Sequence, residues 1–203
     1  MKRIIASAFL MYLVASPTYA ADSVPWKSVN GWTILVDPSM GNACYMTTAF
    51  NNNVLLRFGF SFLGKAPLLY LAVGNRNWQS LEVGKDYPLQ IHFDNNPIWS
   101  ATAFVTDLSG VKFLNVTTSD TNFAQEFSRK LGMTISFQGK FVTGVQLRGS
   151  SAAVAEMLNC QTNVNAIAGA KNPAQPPADP FQQQPAPLPA GQNPQNSKDP
   201  FSL

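Results

Sequence analysis

Hydrophobic positions recur every second residue through much of this chain. In Val54–Phe62, "VLLRFGFSF", Val54, Leu56, Phe58, Phe60 and Phe62 share one face and Arg57, Gly59 and Ser61 the other. That period predicts a strand with one face buried. "YPLQIHFD" repeats it, with Leu89, Ile91 and Phe93 inward and Gln90, His92 and Asp94 outward. Turn residues punctuate such runs: Asp37-Pro38, Asn51 to Asn53, Gly74-Asn75, Asn95-Asn96-Pro97 and Ser109-Gly110. Between "MTISF" and "FVTGVQL", Gln138-Gly139-Lys140 is a short glycine-containing connection of the kind that closes a hairpin. Gly59 and Gly144 stand singly inside strand patterns and mark bulges or close packing. About nine short strands are expected.

Two segments leave this period. After Asp120, Phe123, Phe127 and Leu131 recur four apart, Arg129 and Lys130 fill a last turn, and Gly132 offers a left-handed stop. A second helix is expected from Gly149 or Ser150 to Cys160, with Ser150 as N-cap and Val154, Met157 and Leu158 on one stripe. The pattern predicts a mainly β, α+β domain: an antiparallel sheet or sandwich-like arrangement with two short helices.

The ends differ in kind. Lys2 and Arg3, an uncharged run from Ile4 to Ala15, and Ser16 to Ala20 have the order of a secretory signal peptide, with cleavage expected after Ala20. The apolar run is shorter than the roughly 20 residues a membrane span needs, so no span is expected after its removal. From Lys171 onward Pro, Gln, Ala and Asn dominate, a composition that cannot bury enough apolar area to order itself. The expected organisation is a signal peptide over 1–20, a β-rich domain over 21–162 and a disordered Pro/Gln-rich tail over 163–203.

Export changes how the cysteines read. In an oxidising compartment Cys44 and Cys160 are expected to form a disulfide that staples the second helix to the sheet. One His and two distant Cys do not make a metal site, and no cofactor is expected. The formal charge of +3 falls to +1 once Lys2 and Arg3 are removed, which excludes an electrostatic case for nucleic acid.

Candidate chemistry is sparse. His92 with Asp94 is the one acid–base pair on a strand face, and a hydrolase would have to be built around it. No G-x-S-x-G supplies a nucleophile, so no catalytic residue is assigned. Trp26, Trp32, Trp78 and Trp99 could serve a carrier or inhibitor through exposed aromatics. Trp78 stands out in the polar turn "GNRNWQS", where an indole suits a contact or a lid. In the tail, Asp179-Pro180-Phe181 and Asp199-Pro200-Phe201 repeat one motif, giving each otherwise anchorless stretch an aromatic anchor. Two copies on one chain would gain from effective concentration on a divalent partner. The favoured expectation is a non-catalytic binding protein, periplasmic or secreted, with an envelope or secreted protein as its partner.

Three stretches carry a resemblance: "GWTILVDPSMGNACYMTT", "WQSLEVGKDYPLQIHFD" and "FQGKFVTGVQLRGSSAAVAEMLNCQ", whose last strand leads through G-S-x-x-A into the Cys160 helix. Together they resemble small exported proteobacterial proteins of unknown function. The opening is similar to the invasion-associated locus B family, and the ending to a periplasmic accessory protein of type VI secretion. The resemblance implies an envelope or secreted location and no catalytic residues to carry over.

Overall fold

The computed structural model describes residues 23–171. The expected signal peptide and both Asp-Pro-Phe segments lie outside the described residues. Ten strands form: β1 (Val24–Val29), β2 (Trp32–Asp37), β3 (Ala43–Ala49), β4 (Val54–Ser61), β5 (Leu68–Asn75), β6 (Asp86–Phe93), β7 (Trp99–Leu108), β8 (Val111–Thr118), β9 (Gly132–Phe137) and β10 (Lys140–Gln146). Two helices complete the domain, α1 (Thr121–Arg129) and α2 (Ser150–Lys171), with a single 3-10 turn at Pro38–Met40.

All pairings are antiparallel, in the order β1-β2-β3-β4-β5-β8-β7-β6-β9-β10. Of the two expected arrangements the antiparallel sheet is the one that forms, and it is open, with β1 and β10 as its edges. The hairpin between β9 and β10 turns through Gln138 and Gly139, both at positive φ (51° and 74°), as a two-residue primed turn requires.

The sheet curls around α1. Phe127 stacks on Phe58 of β4 with centroids 4.3 Å apart, and its ring is also 6.4 Å from Phe93 of β6. β4 and β6 lie four places apart in the sheet, which is on the order of 19 Å across a flat one. Two rings that far apart can share one neighbour only if the sheet bends towards it. Phe58, Phe93 and Phe127 are fully buried, each contributing about 1.5 to 3 kcal/mol. The inner-face residues read from alternation, Leu89, Ile91 and Phe93, are all in this core.

α1 starts as expected, with the Asp120 side chain accepting from the Asn122 amide at 2.9 Å. Its end corrects the sequence reading. The helix stops at Lys130 in extended conformation (φ −89°, ψ 157°), Gly132 begins β9, and Leu131 is exposed rather than on the buried stripe. The start of α2 differs as well. Gly149, at φ 78°, accepts the first helical bond from the Ala153 amide, while Ser150 turns its hydroxyl to the Ser128 carbonyl. Glycine at the helix entrance therefore replaces the serine cap.

α2 lies over β1, β2 and β3, and the Cys44–Cys160 disulfide joins it to β3 with an S–S bond of 2.02 Å. The helix continues past Cys160 to Lys171, beyond the expected boundary at 162, so it is not short. Gln161 explains part of the extension: its Oε1 accepts from the Cys44 amide at 2.7 Å and its Nε2 donates to Asn165 Oδ1 at 3.0 Å. Half-buried Val164 adds apolar contact with the core.

A smaller apolar cluster, Tyr45, Tyr70, Ala72, Val111 and Phe113, occupies the outer face of β3, β4, β5 and β8. Glycine makes it possible. A Cβ on Gly59 would lie 2.4 Å from Tyr45 Cβ, and one on Gly74 would lie 2.6 Å from the Phe113 ring. At Gly74 the Phe113 ring lies across bare backbone, and at Gly59 the Tyr45 backbone and Cβ approach closely.

Candidate functional site

The expected acid–base pair is not brought together. Asp94, at φ 47°, ends β6, and its two carboxylate oxygens accept from the Leu131 and Gly132 amides at 3.0 and 2.8 Å. It pins the end of β6 to the entrance of β9. His92 is half-buried on β6 opposite Thr134, and no hydrogen bond joins it to Asp94 among the described residues. Among those residues, no three His, Cys, Asp or Glu side chains gather as a metal site.

The tryptophans divide by environment. Trp32 is buried and donates to the Arg148 carbonyl at 3.0 Å. Trp99 is half-buried against Phe123 and donates to Glu126. Trp26, more exposed on edge strand β1, donates to Glu156 Oε1 at 2.9 Å, and Lys27 reaches Glu156 Oε2 at the same distance. The Lys27 bond first, and the Trp26 bond second, hold the Glu156 carboxyl below the usual glutamate range. Trp78 follows β5 with its amide donating to the Asn75 carbonyl. It is half-buried against the core, beside a hollow of about 200 Å³ lined by Leu81, Leu89, Leu114 and Val142. Its polar sequence neighbourhood concealed that packing.

Among the larger hollows of the surface, two adjoin the helices and the outer face of the sheet. One is an apolar groove of about 460 Å³ between α1 and α2, walled by Phe60, Leu69, Ala124, Val154 and Met157, with the half-exposed Leu158 on its lip. The other lies on the outer face of the sheet. There β2, β4, β5 and β8 place Asp37, Arg57, Tyr70 and Asn115 around a groove of about 400 Å³. The register is the cause: Arg57 pairs with Ala72, Ala72 pairs with Asn115, and Gly59 pairs with Tyr70.

The Arg57 guanidinium lies over the Tyr45 ring, 4.0 Å from its centroid, a cation–π arrangement that fixes the plane of the fork. Its Nη2 donates to Asp37 Oδ2 at 3.4 Å. Asp37 Oδ1 accepts from the Ser39 amide and hydroxyl at 3.0 and 2.6 Å, which holds the 3-10 turn in place. Burial pushes the Tyr70 phenol well above its usual range, with Arg57 pulling less strongly the other way. The hydroxyl therefore stays protonated, available as a donor. Sequence reasoning missed this groove. Arg57 appeared only as an outward residue of one strand, and its neighbours come from strands whose pairing is not local.

No protein-family model matches the chain, and no curated protein does. Among solved structures it is similar to invasion associated protein B from Bartonella henselae, at 14% sequence identity and a TM-score of 0.51. That likeness covers 69% of this chain and 99% of the other. At this identity what the two share is the fold.

Proposed function

We propose that this chain is an exported binding protein of the bacterial envelope, in which a disulfide-closed domain carries a tail whose Asp-Pro-Phe segments engage a protein partner. The observation that carries the reading is how the acidic groups are used. Of the eight carboxylates among the described residues, Asp37, Asp94, Asp107, Asp120, Glu126 and Glu156 each accept from a structural donor, Glu82 pairs with Lys85, and Asp86 is exposed on β6. A general acid or base needs a group free to reach a substrate proton, and those that accept already hold turns, strand ends and a helix cap. The fully buried disulfide suits an oxidising compartment. No helix among the described residues is long and apolar enough to cross a membrane.

The test is a crosslinking pull-down from intact cells with the full mature protein and its Phe181→Ala/Phe201→Ala variant. Loss of a specific partner in the variant, with an unchanged circular dichroism spectrum, is the expected result. Recovery of the same partners by both proteins sinks the reading.

A further inference from the structure

The outer-face groove holds hydrogen-bonding capacity that its own residues leave unused. Arg57 contacts Asp37 through one nitrogen at 3.4 Å, longer than the roughly 2.7 to 2.9 Å of a tight charge-assisted bond. Its other guanidinium N–H groups have no partner among the described residues. Tyr70 is only 6% exposed, yet its hydroxyl opens into the groove and joins no hydrogen bond among those residues. Solvent reaches that hydroxyl, since no buried side-chain oxygen or nitrogen among those residues lacks a partner, so it is free to donate to an occupant. Met40, Phe113 and the half-exposed Leu108 form an apolar wall beside these donors. The groove thus matches a carboxylate and an aromatic ring presented a short distance apart.

The last described turns of α2 lie at the same end of the sheet as this groove. Ile167 and Ala168, near the end of α2, share a hollow with Pro38 and Asn42. The two residues after Pro38, Ser39 and Met40, line the outer-face groove. The end of α2 therefore lies beside the 3-10 turn that separates the two surfaces. Eight residues lead from Lys171 to Asp179, about 25 Å as polyproline II, enough to pass over the end of the sheet. The second motif begins 28 residues past Lys171, which lowers its local concentration about sixfold on the −3/2 power of linker length.

We propose that this groove seats the chain's own Asp179-Pro180-Phe181, with the Asp179 carboxylate on Arg57 and Tyr70 and the Phe181 ring against Phe113 and Met40. Arg57 has donors enough to serve Asp37 and Asp179 together. Asp107, the other acid on the rim, has its Oδ1 taken by the Gly110 amide at 2.8 Å. The proposal rests on the tail being a docking element, and it adds regulation: a partner must draw the first motif away from the groove before binding it.

The test uses the full mature chain and nuclear magnetic resonance of its backbone amides and arginine Nε–Hε groups. Asp179→Asn/Phe181→Ala is expected to shift the Arg57 side-chain signal and the Tyr70, Thr106 and Asn115 amides. Asp199→Asn/Phe201→Ala is expected to leave them in place. A synthetic peptide Ala-Asp-Pro-Phe-Gln-Gln is then added in trans. If its Kd is about 0.1 mM, a millimolar local concentration of the tethered motif makes it bind the first variant about tenfold more tightly than the wild type. Groove signals unmoved by the first variant, or equal peptide affinity for both chains, overturn the proposal. If groove signals stay still while partner capture still needs Phe181 and Phe201, the seat fails and the function stands. If they move and capture does not need those residues, the function fails and the seat stands.

Discussion

Breaking the Cys44–Cys160 bond is the perturbation whose size follows most directly from the fold. The two half-cystines are 116 residues apart, and the chain-entropy relation for a loop of that length gives about 4.8 kcal/mol at 25 °C. Both are fully buried, so Cys44→Ala/Cys160→Ala also removes sulfur contacts and leaves small voids. Against a typical domain stability of about 5 to 15 kcal/mol, the double variant loses between a third and nearly all of it. In melting temperature that is on the order of 10 to 20 °C for a domain of this size. Urea unfolding followed by tryptophan fluorescence measures it, because Trp32 sits in the core and donates to the Arg148 carbonyl just ahead of α2. Gln161→Ala separates the covalent constraint from the local clasp: it removes the acceptor of the Cys44 amide at 2.7 Å while keeping the bond, and should cost about 1 to 3 kcal/mol. A double variant within 1 kcal/mol of the wild type would refute the argument that the long loop dominates.

Gly59→Ala tests the close approach of β3 and β4. The added Cβ meets Tyr45 Cβ at 2.4 Å and Tyr45 Cα at 2.7 Å, so backbone must move, and a loss of about 3 kcal/mol is expected in urea unfolding. Gly144→Ala, whose nearest neighbour would be 3.4 Å away, should stay within about 1 kcal/mol; equal effects at the two sites would refute the packing account. Acid should loosen β1 from α2. The Glu156 carboxyl is held below its ordinary value of 4.5 by Lys27 and then Trp26. Its stabilising contribution is therefore present above that value and lost as pH falls through the lowered one. The Trp26 indole N–H resonance should shift in that acid window in the wild type and not in Glu156→Gln, whereas a wild-type signal indifferent to pH contradicts the link.

How much of this was legible depended on how far apart the interacting residues lie. Alternation exposed β4 and β6 because each has one buried face, and the Gln138-Gly139 turn is local, so its positive φ values follow from residue type. β5 is buried along nearly its whole length, on both faces, and "PLLYLAV" reads as a continuous apolar run that does not say which side Tyr70 takes. The end of α1 misled for a related reason. Gly132 is a natural left-handed stop, but Asp94, remote in sequence, accepts the Leu131 and Gly132 amides and draws them into β9. α2 outran its expected end because Gln161 and Val164 dock the helix beyond Cys160, overriding the weak helix propensity of Thr162, Asn163 and Asn165.

The same non-local pairing ties stability to the outer-face groove. The Arg57 fork lies over the Tyr45 ring, and Tyr45 Cβ and Cα come so close to Gly59 that position 59 has no room for a side chain. A methyl at position 59 therefore pushes Tyr45 as a whole away from β4, and the arginine that rests on its ring should be displaced with it. The unfolding midpoint and the Arg57 Nε–Hε signal should move together in Gly59→Ala and both stay put in Gly144→Ala. If stability falls while the Arg57 signal is unchanged, the strand separation is absorbed elsewhere and Tyr45 is not what positions the arginine.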